Sequence, residues 1–138
     1  MIKISVCGAA GRMGQRIIST INETEGVQLA AALERPANPL LGQDVGLVSG
    51  CGPLGVKISD DLNAVIAACD VMVDFTAPKI SLKNLEACGL QKKAIVIGST
   101  GFTPEQRDLA VELARYTPVV LAPNMSVGVN VCFKILKD

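Results

Sequence analysis

Residues 2–23, IKISVCGAAGRMGQRIISTINE, carry the clearest structural signal in the chain. The short apolar run from Ile2 to Cys7 predicts a β-strand, and residues 13–23 have the spacing of an amphipathic helix. Between them lies the glycine-rich run Gly8-Ala9-Ala10-Gly11-Arg12-Met13-Gly14. A tight turn of this kind lets backbone N–H groups and the positive end of the helix face a pyrophosphate.

The glycine spacing is G-x-x-G-x-x-G rather than the more common G-x-G-x-x-G. Gly11 and Gly14 occupy the last two positions of the common pattern, and Ala9 stands where its first glycine would be. The pattern alone also fits a turn that packs a helix against a strand without any ligand. Its place after a strand, before a helix and ahead of an acidic residue favours dinucleotide binding.

Charged residues stand where a dinucleotide fold meets the adenosine ribose. The second apolar run, Val27–Leu33, ends in Glu34-Arg35, about 20 residues after the last glycine. Glu34 can accept hydrogen bonds from both ribose hydroxyls, which favours NAD, and Arg35 can pair with a 2′-phosphate, which favours NADP. Together they suggest that both cofactors are used, although a solvated charge pair would explain either residue alone.

Arg12 stands at the start of the predicted helix, where a cation is unfavourable to the helix dipole. A bound phosphate would remove that conflict. We therefore expect Arg12 to contact a phosphate, with a solvated arginine as the alternative.

Strand-like and helix-like runs alternate along the chain. The predicted strands are Lys3–Cys7, Val27–Leu33, Val56–Ile58, Val71–Phe75, Ala94–Ile97 and Val119–Leu121. The predicted helices are Met13–Glu23, Asp61–Ala68, Pro78–Cys88 and Pro104–Arg115. Thr103 and Gln106 predict a capping box for the last helix, Ser59 or Asp60 can cap the second, and Gly89 suits a left-handed end to the third. This order predicts an α/β fold: a Rossmann-like, doubly wound, mostly parallel sheet with helices on both faces.

Two segments depart from the alternation. Arg35–Gly55 is long for a loop and rich in proline and glycine, and loops of that length are usually functional or mobile. Ser126–Asp138 has helical spacing but ends without a glycine or proline stop signal. We therefore expect the chain to end inside a helix.

Polar loops follow three of the later strands, at the edge of the sheet where open α/β folds bind ligands. After the fifth and sixth strands we expect cofactor contacts from Gly98, Ser99, Thr100, Ala122, Pro123, Asn124 and Met125. A plain turn at Gly98–Gly101 and a helix cap at Asn124 are the alternatives. Asp74, at the end of the fourth strand, is a conceivable catalytic acid, but a cap on the following helix is the better interpretation.

Composition excludes several classes of function. The 138 residues carry 13 basic and 13 acidic side chains and only 3% aromatic residues, which argues against a nucleic acid or a membrane as partner. The N-terminus has no signal-peptide pattern, so a cytoplasmic location is expected. There is no histidine, and the five cysteines form no C-x-x-C, so we expect no metal site and purely structural cysteines. Cys51 is the cysteine expected to be most exposed.

Several segments together resemble the 4-hydroxy-tetrahydrodipicolinate reductase (dihydrodipicolinate reductase) family of lysine and diaminopimelate biosynthesis. The matching pieces are G-A-A-G-R-M-G, A-A-L-E-R, D-F-T, V-I-G-S-T-G-F and N-M-S-V-G-V-N, which run from the first strand to the last predicted helix. The last two are more specific than any glycine turn.

The resemblance implies a dinucleotide-binding domain at residues 1–125, with 126–138 beginning the helix that leads to an absent substrate domain. It implies hydride transfer from NADH or NADPH to a cyclic imine-like dicarboxylate, and a homotetramer formed through the absent domain. Carried over, Gly8 to Met13 hold the pyrophosphate side, Glu34 and Arg35 contact the ribose, and the two strand-end loops hold the nicotinamide half.

Two departures from the family pattern matter. Ala77 stands where family members often have arginine, which shifts the balance towards NAD. The family's motif H-H-x-x-K-x-D-A-P-S-G-T is absent, so the chain is expected to bind cofactor without turning over substrate. A stand-alone nucleotide-sensing module, or another NAD-linked dehydrogenase such as one acting on aspartate, remains an alternative.

Overall fold

A computed structural model describes residues 1–121 and confirms the alternation of strands and helices there. The elements are β1 (Ile2–Cys7), α1 (Arg12–Glu23), β2 (Val27–Leu33), α2 (Val45–Val48), β3 (Ile58–Ser59), α3 (Leu62–Ala67), β4 (Val71–Asp74), α4 (Pro78–Leu90), β5 (Ala94–Ile97), α5 (Pro104–Leu113) and β6 (Val119–Leu121). The predicted loop Ala122–Met125 and the predicted helix Ser126–Asp138 lie outside the described residues. No helix in the described range is long and apolar enough to cross a membrane.

The six described strands form one parallel sheet in the order β3-β2-β1-β4-β5-β6. This is the strand order of a Rossmann fold, and the predicted fold class is confirmed. The order reverses between β1 and β4. Ligands of open α/β sheets bind outside the carboxyl ends of the strands at such a reversal.

Alternate residues of the central strands serve two separate cores, one on each face of the sheet. On one face Ile4 and Val6 of β1 pack with Ile17, Ile18 and Ile21 of α1. On the other face Cys7 joins a cluster built from α3, α4 and α5. Burial on both faces explains why the strands are continuous apolar runs in the sequence.

The long segment Arg35–Gly55 is an ordered unit rather than an open loop. It contains the short helix α2, which the sequence analysis missed, and Val45 of that helix is fully buried against the α1 side of the sheet. Asp44 holds the segment closed. Its carboxylate accepts hydrogen bonds from the amides of Gly46 (2.8 Å), Leu54 (3.0 Å) and Gly55 (2.8 Å).

Several predicted boundaries were wrong by one or two residues. β3 is Ile58–Ser59 rather than Val56–Ile58, because Val56 and Lys57 pair with the Asp44 segment instead of extending the strand. α4 continues through Gly89, where we expected it to end, and the left-handed residue that follows is Lys92 (φ 56°). α5 ends earlier than predicted, at Leu113.

The helix caps were only partly predicted. The capping box at Thr103 and Gln106 is confirmed: each side chain accepts a hydrogen bond from the other residue's amide. α3 is capped by Asp61, whose carboxylate accepts from the amide of Ala64, and not by Ser59 or Asp60.

Replacement of Asp44 by asparagine tests its role in closing this segment. Hydrogen bonds from backbone amides, that of Leu54 first, lower the pKa of Asp44 from 3.8. A lowered folded-state pKa adds stability above the unfolded-state value, and this is lost as pH falls through the folded-state value. We expect Asp44→Asn to lower the thermal midpoint by a few degrees near neutral pH, with a difference that shrinks below about pH 4.

Asp108→Asn, which removes an exposed carboxylate from α5, is the matched control and should leave the midpoint unchanged. A pH-independent difference between Asp44→Asn and the parent chain would contradict the assigned role of the charge.

Candidate nucleotide-binding site

The turn after β1 depends on glycine at two positions. Gly8 has a φ of +74°, and a Cβ there would lie 2.9 Å from the Cγ2 of Thr76. A Cβ on Gly14 would collide with the carbonyl oxygen of Gly8, so α1 lies directly against the turn. A side chain at Gly14 would force the helix away from the strand end, and one at Gly8 would be strained by the positive φ and would crowd Thr76.

The first four amides of the turn are used within the chain. The amides of Gly8 and Ala9 both donate to the carbonyl oxygen of Leu33, at 3.0 and 3.1 Å. The amide of Ala10 donates to Oε2 of Glu34 at 2.9 Å, and that of Gly11 donates to the carbonyl oxygen of Gly8 at 3.0 Å. These groups therefore shape the turn and tie it to the end of β2.

The next three amides have no such partner. The first hydrogen bond of α1 runs from the amide of Gln15 to the carbonyl oxygen of Gly11, and Gly11 provides no side-chain cap. Within residues 1–121, the amides of Arg12, Met13 and Gly14 accordingly have no acceptor, and the first turn contains no acidic residue. The positive end of α1 is therefore available to an anion.

Arg12 is exposed at the first helical residue, beside these amides. This is the position that the sequence analysis gave it. A guanidinium here adds a positive charge to a helix end that is already positive, which is unfavourable without an anion.

Glu34 connects the turn to the second strand. One carboxylate oxygen accepts from the amide of Ala10, and the other accepts from the amide of Arg35 at 3.1 Å. A carboxylate has about four acceptor sites, so both oxygens can still accept hydrogen bonds from a ligand. Glu34 is half-buried and Arg35 is exposed.

A cavity of about 280 Å³ opens at the carboxyl ends of β1 and β2. Gly8, Glu34 and Arg35, three of the predicted contact residues, line it together. The rest of its lining comes from Cys7, Leu33, Pro36, Asp60, Leu62, Thr76, Ile80, Lys83 and Asn84. Its mixed apolar and polar walls suit the adenosine half of a dinucleotide.

Asp74 does not have the role predicted for it. It is fully buried, and Oδ1 accepts from the amide (3.0 Å) and the hydroxyl (2.6 Å) of Thr76. The N-cap residue of α4 is Ala77, and no side chain accepts a capping hydrogen bond at this helix end. The helix-cap interpretation of Asp74 was therefore wrong. Asp74 closes the turn before the helix instead.

The loop after β5 lies beside that turn. The ring of the half-buried Phe75 occupies the space that a Cβ of Gly98 would need. Ser99 is 5% exposed, whereas Thr100 is exposed. The structure thus brings Gly98, Ser99 and Thr100 to the same edge of the sheet as the glycine turn.

Three polar residues of α4 near this edge were not identified from the sequence: Ser81, Lys83 and Asn84. The signal for two of them was present, because Ser81 and Asn84 share a helical face with Leu85 and Cys88. Polar residues at core-facing positions of a helix indicate a buried hydrogen-bond network.

Three of the four described cysteines, Cys7, Cys69 and Cys88, are buried, as expected of structural thiols. Burial raises the pKa of Cys7 and of Cys88 to about 12, and also raises that of Cys69, so none of the three is a reactive thiolate near neutral pH. Cys51 is half-buried and the most exposed of the four. Cys132 lies outside the described residues.

Comparisons with known proteins agree with this geometry. Residues 2–125 match the family model described as "Dihydrodipicolinate reductase, N-terminus". The chain is 77% identical over 138 residues to the 4-hydroxy-tetrahydrodipicolinate reductase of Pelobacter propionicus, and 72% identical to that of Geobacter sulfurreducens. Each match includes the whole of this chain and 52% of the length of the relative.

Among solved structures, it resembles a dipicolinate-bound dihydrodipicolinate reductase from Paenisporosarcina sp. TG-14, with a TM-score of 0.72 and 27% identity over 98% of this chain and 52% of the other. An amine dehydrogenase from Mycobacterium smegmatis matches with a TM-score of 0.69 and 28% identity over 87% of this chain and 38% of the other. The chain spans about half the length of the curated relatives that it matches. On this evidence it belongs to the dihydrodipicolinate reductase family, of which it forms the N-terminal, nucleotide-binding part.

Proposed function

We propose that this chain binds NADH and NADPH as the cofactor half of a 4-hydroxy-tetrahydrodipicolinate reductase. The whole protein would transfer hydride to a cyclic, imine-like dicarboxylate in lysine and diaminopimelate biosynthesis. The observation that carries the proposal is the start of α1, where three amides without acceptors and an exposed arginine follow the glycine turn to which Glu34 is hydrogen-bonded.

The diphosphate is assigned to the turn and the start of α1. Gly8 to Gly11 shape the turn, and Arg12 and Met13 donate their amides to phosphate oxygens. The guanidinium of Arg12 adds a charge-assisted contact. Gly14 acts by its lack of a side chain, because it lets the helix approach the strand end.

The ribose is assigned to Glu34 and Arg35. Glu34 already holds the turn through Ala10, so a ribose that it binds lies beside the diphosphate. Arg35 pairs with the 2′-phosphate of NADPH. Ala77 stands where family members often have arginine, so the contact that this arginine makes to the 2′-phosphate is missing here, which favours NADH.

The nicotinamide half is assigned to Gly98, Ser99 and Thr100, together with Ala122 to Met125. The dihydronicotinamide supplies the hydride when it is bound. The residues of this chain orient it, which matters because hydride transfer requires the reacting atoms to be about 3–3.5 Å apart. We assign the substrate site and the proton donor to the part of the relatives that this chain does not cover, which is about half of their length.

We also infer the domain organisation of the whole protein from its resemblance to the family. We assign residues 1–125 to the dinucleotide-binding domain and 126–138 to the start of the helix towards a substrate domain. A cytoplasmic homotetramer assembled through that second domain completes the proposal.

A matched pair of variants on α1 tests the diphosphate site. Arg12→Ala should weaken NADH binding by about tenfold, as expected for one charge-assisted hydrogen bond. Arg16→Ala, which removes an exposed cation one turn further along the same helix, should bind NADH like the parent chain. Isothermal titration calorimetry measures both, and equal weakening in the two variants would assign the effect to overall charge.

A second pair tests the ribose assignment. Glu34→Gln should weaken binding of NADH by about tenfold, because the carboxylate becomes an amide that accepts at one atom only. Arg35→Ala should weaken NADPH more than NADH. Titration of each variant with both cofactors gives the selectivity, and an unchanged NADPH-to-NADH ratio in Arg35→Ala would contradict the role of Arg35.

The 138-residue chain by itself should show no reductase turnover. It contains no histidine, and the family's proton donor is a histidine that this chain lacks. The assay follows NADH absorbance in the presence of substrate, with a full-length relative as positive control. Measurable turnover by the purified chain would overturn this expectation.

A further inference from the structure

We infer that Asn84 and Ser81 of α4 are positioning residues for the cofactor. Through the turn Asp74–Thr76 they fix the loop Gly98–Thr100 relative to the glycine turn. The inference rests on the proposed binding of NAD(P)H and adds to it a coupling between the two halves of the site. We call Asp74, Thr76, Ser81, Asn84 and Ser99 the α4 network.

Asn84 joins α4 to two neighbouring strand ends. It is 2% exposed, and its Nδ2 donates to Oδ2 of Asp74 at 3.0 Å and to Sγ of Cys7 at 3.1 Å. Asp74 is 0% exposed and pairs with Cys7 across β1 and β4. Loss of the amide would leave a buried carboxylate oxygen without this donor, which is costly away from water.

Ser81 joins the same helix to the loop after β5. Its hydroxyl, fully buried, lies 2.6 Å from the hydroxyl of Ser99. The Oγ of Ser99 in turn accepts from the amide of Thr76 at 3.0 Å. That amide also donates to Asp74, so the two branches of the α4 network meet at one backbone group.

The turn held by the α4 network is a spacer between two glycines. The methyl group of Thr76 faces Gly8 and limits the space beside it, and the ring of Phe75 fills the space beside Gly98. Adjacent residues of one turn thus contact the glycine turn and the loop after β5. A shift of this turn would change the distance between the proposed diphosphate and nicotinamide contacts.

Packing alone does not explain the polar residues of the α4 network. Ser81, Asn84, Leu85 and Cys88 have i, i+3, i+4 and i+7 spacing, a pattern that normally carries apolar side chains. A fully hydrogen-bonded polar cluster fixes one arrangement where apolar side chains would tolerate several. The geometry it fixes here is that of the two loops assigned to the cofactor.

The two cofactor halves can be separated with a shorter ligand. NADH reaches from the glycine turn to the loop after β5, whereas ADP-ribose has the adenosine and diphosphate but no nicotinamide. Disruption of the α4 network should therefore affect NADH more than ADP-ribose. A general loss of fold would weaken both ligands equally.

The experiment measures dissociation constants of NADH and ADP-ribose by calorimetry for the parent chain and three variants. In Ser81→Ala, NADH affinity should fall by about tenfold, the size expected from one unsatisfied buried group, while ADP-ribose affinity changes by less than about twofold. In Asn84→Leu, which also alters the lining of the adenosine cavity, both ligands should lose affinity, with the larger loss for NADH. Cys88→Ala removes a buried side chain of α4 outside the α4 network and should leave the ratio of the two constants unchanged. Ser81→Ala, which deletes one hydroxyl, keeps the test available if Asn84→Leu does not fold.

Equal losses of NADH and ADP-ribose in both network variants would overturn the inference, as would the same change of ratio in Cys88→Ala. Equal affinity of the parent chain for NADH and ADP-ribose would overturn it too, because the nicotinamide would then make no contact. A folded parent chain that binds neither ligand would instead refute the proposed function itself.

Discussion

The close approach of α1 to the end of β1 is the constraint on which the site depends. Gly14 lies so near the carbonyl oxygen of Gly8 that no side chain fits between them. This contact aims the start of the helix at the carboxyl edge of the sheet. The amides of Arg12 and Met13 and the helix dipole then converge on one point, which is what an anion requires.

The same edge brings together two other strand ends because the strand order reverses between β1 and β4. β2 contributes Glu34, which is hydrogen-bonded to the glycine turn, and β4 contributes a turn packed against Gly8 and Gly98. The site is therefore built from backbone positions on adjacent strands. Its shape depends on buried contacts beneath the surface as much as on the exposed side chains.

Much of this could be predicted because local signals agreed with the fold. Apolar runs of strand length, the glycine turn and the capping box at Thr103 each act over a few residues, so the sequence alone indicated them. Three strands, β2, β5 and β6, were predicted with the bounds that the structure has. Glu34 and Arg35 could be placed near the glycine turn because one helix and one strand, about 20 residues, separate them from its last glycine.

Features that depend on distant contacts could not be predicted. The carboxylate of Asp44 closes its segment by accepting hydrogen bonds from amides ten and eleven residues away. The local signal for α2, a cap by the same carboxylate, precedes a helix of only four residues and was too short to identify it. The sequence suggested that Asp74 caps a helix because its actual partner is not local. Its second carboxylate oxygen accepts a hydrogen bond from Asn84, which lies ten residues later in α4. The carbonyl oxygen of Leu33 likewise accepts from two amides of the glycine turn, and a contact between residues so far apart in sequence leaves no local pattern.

In the proposed site the amides at the start of α1 hold the diphosphate, while those of the preceding turn hold the turn together. A crystal structure of the chain with NADH tests this most directly. We expect diphosphate oxygens within about 2.7–3.2 Å of the amide nitrogens of Arg12 and Met13, with the amides of Gly8 and Ala9 still bonded to the carbonyl oxygen of Leu33. A diphosphate bound elsewhere on the sheet edge, with these helix amides facing only water, would contradict it.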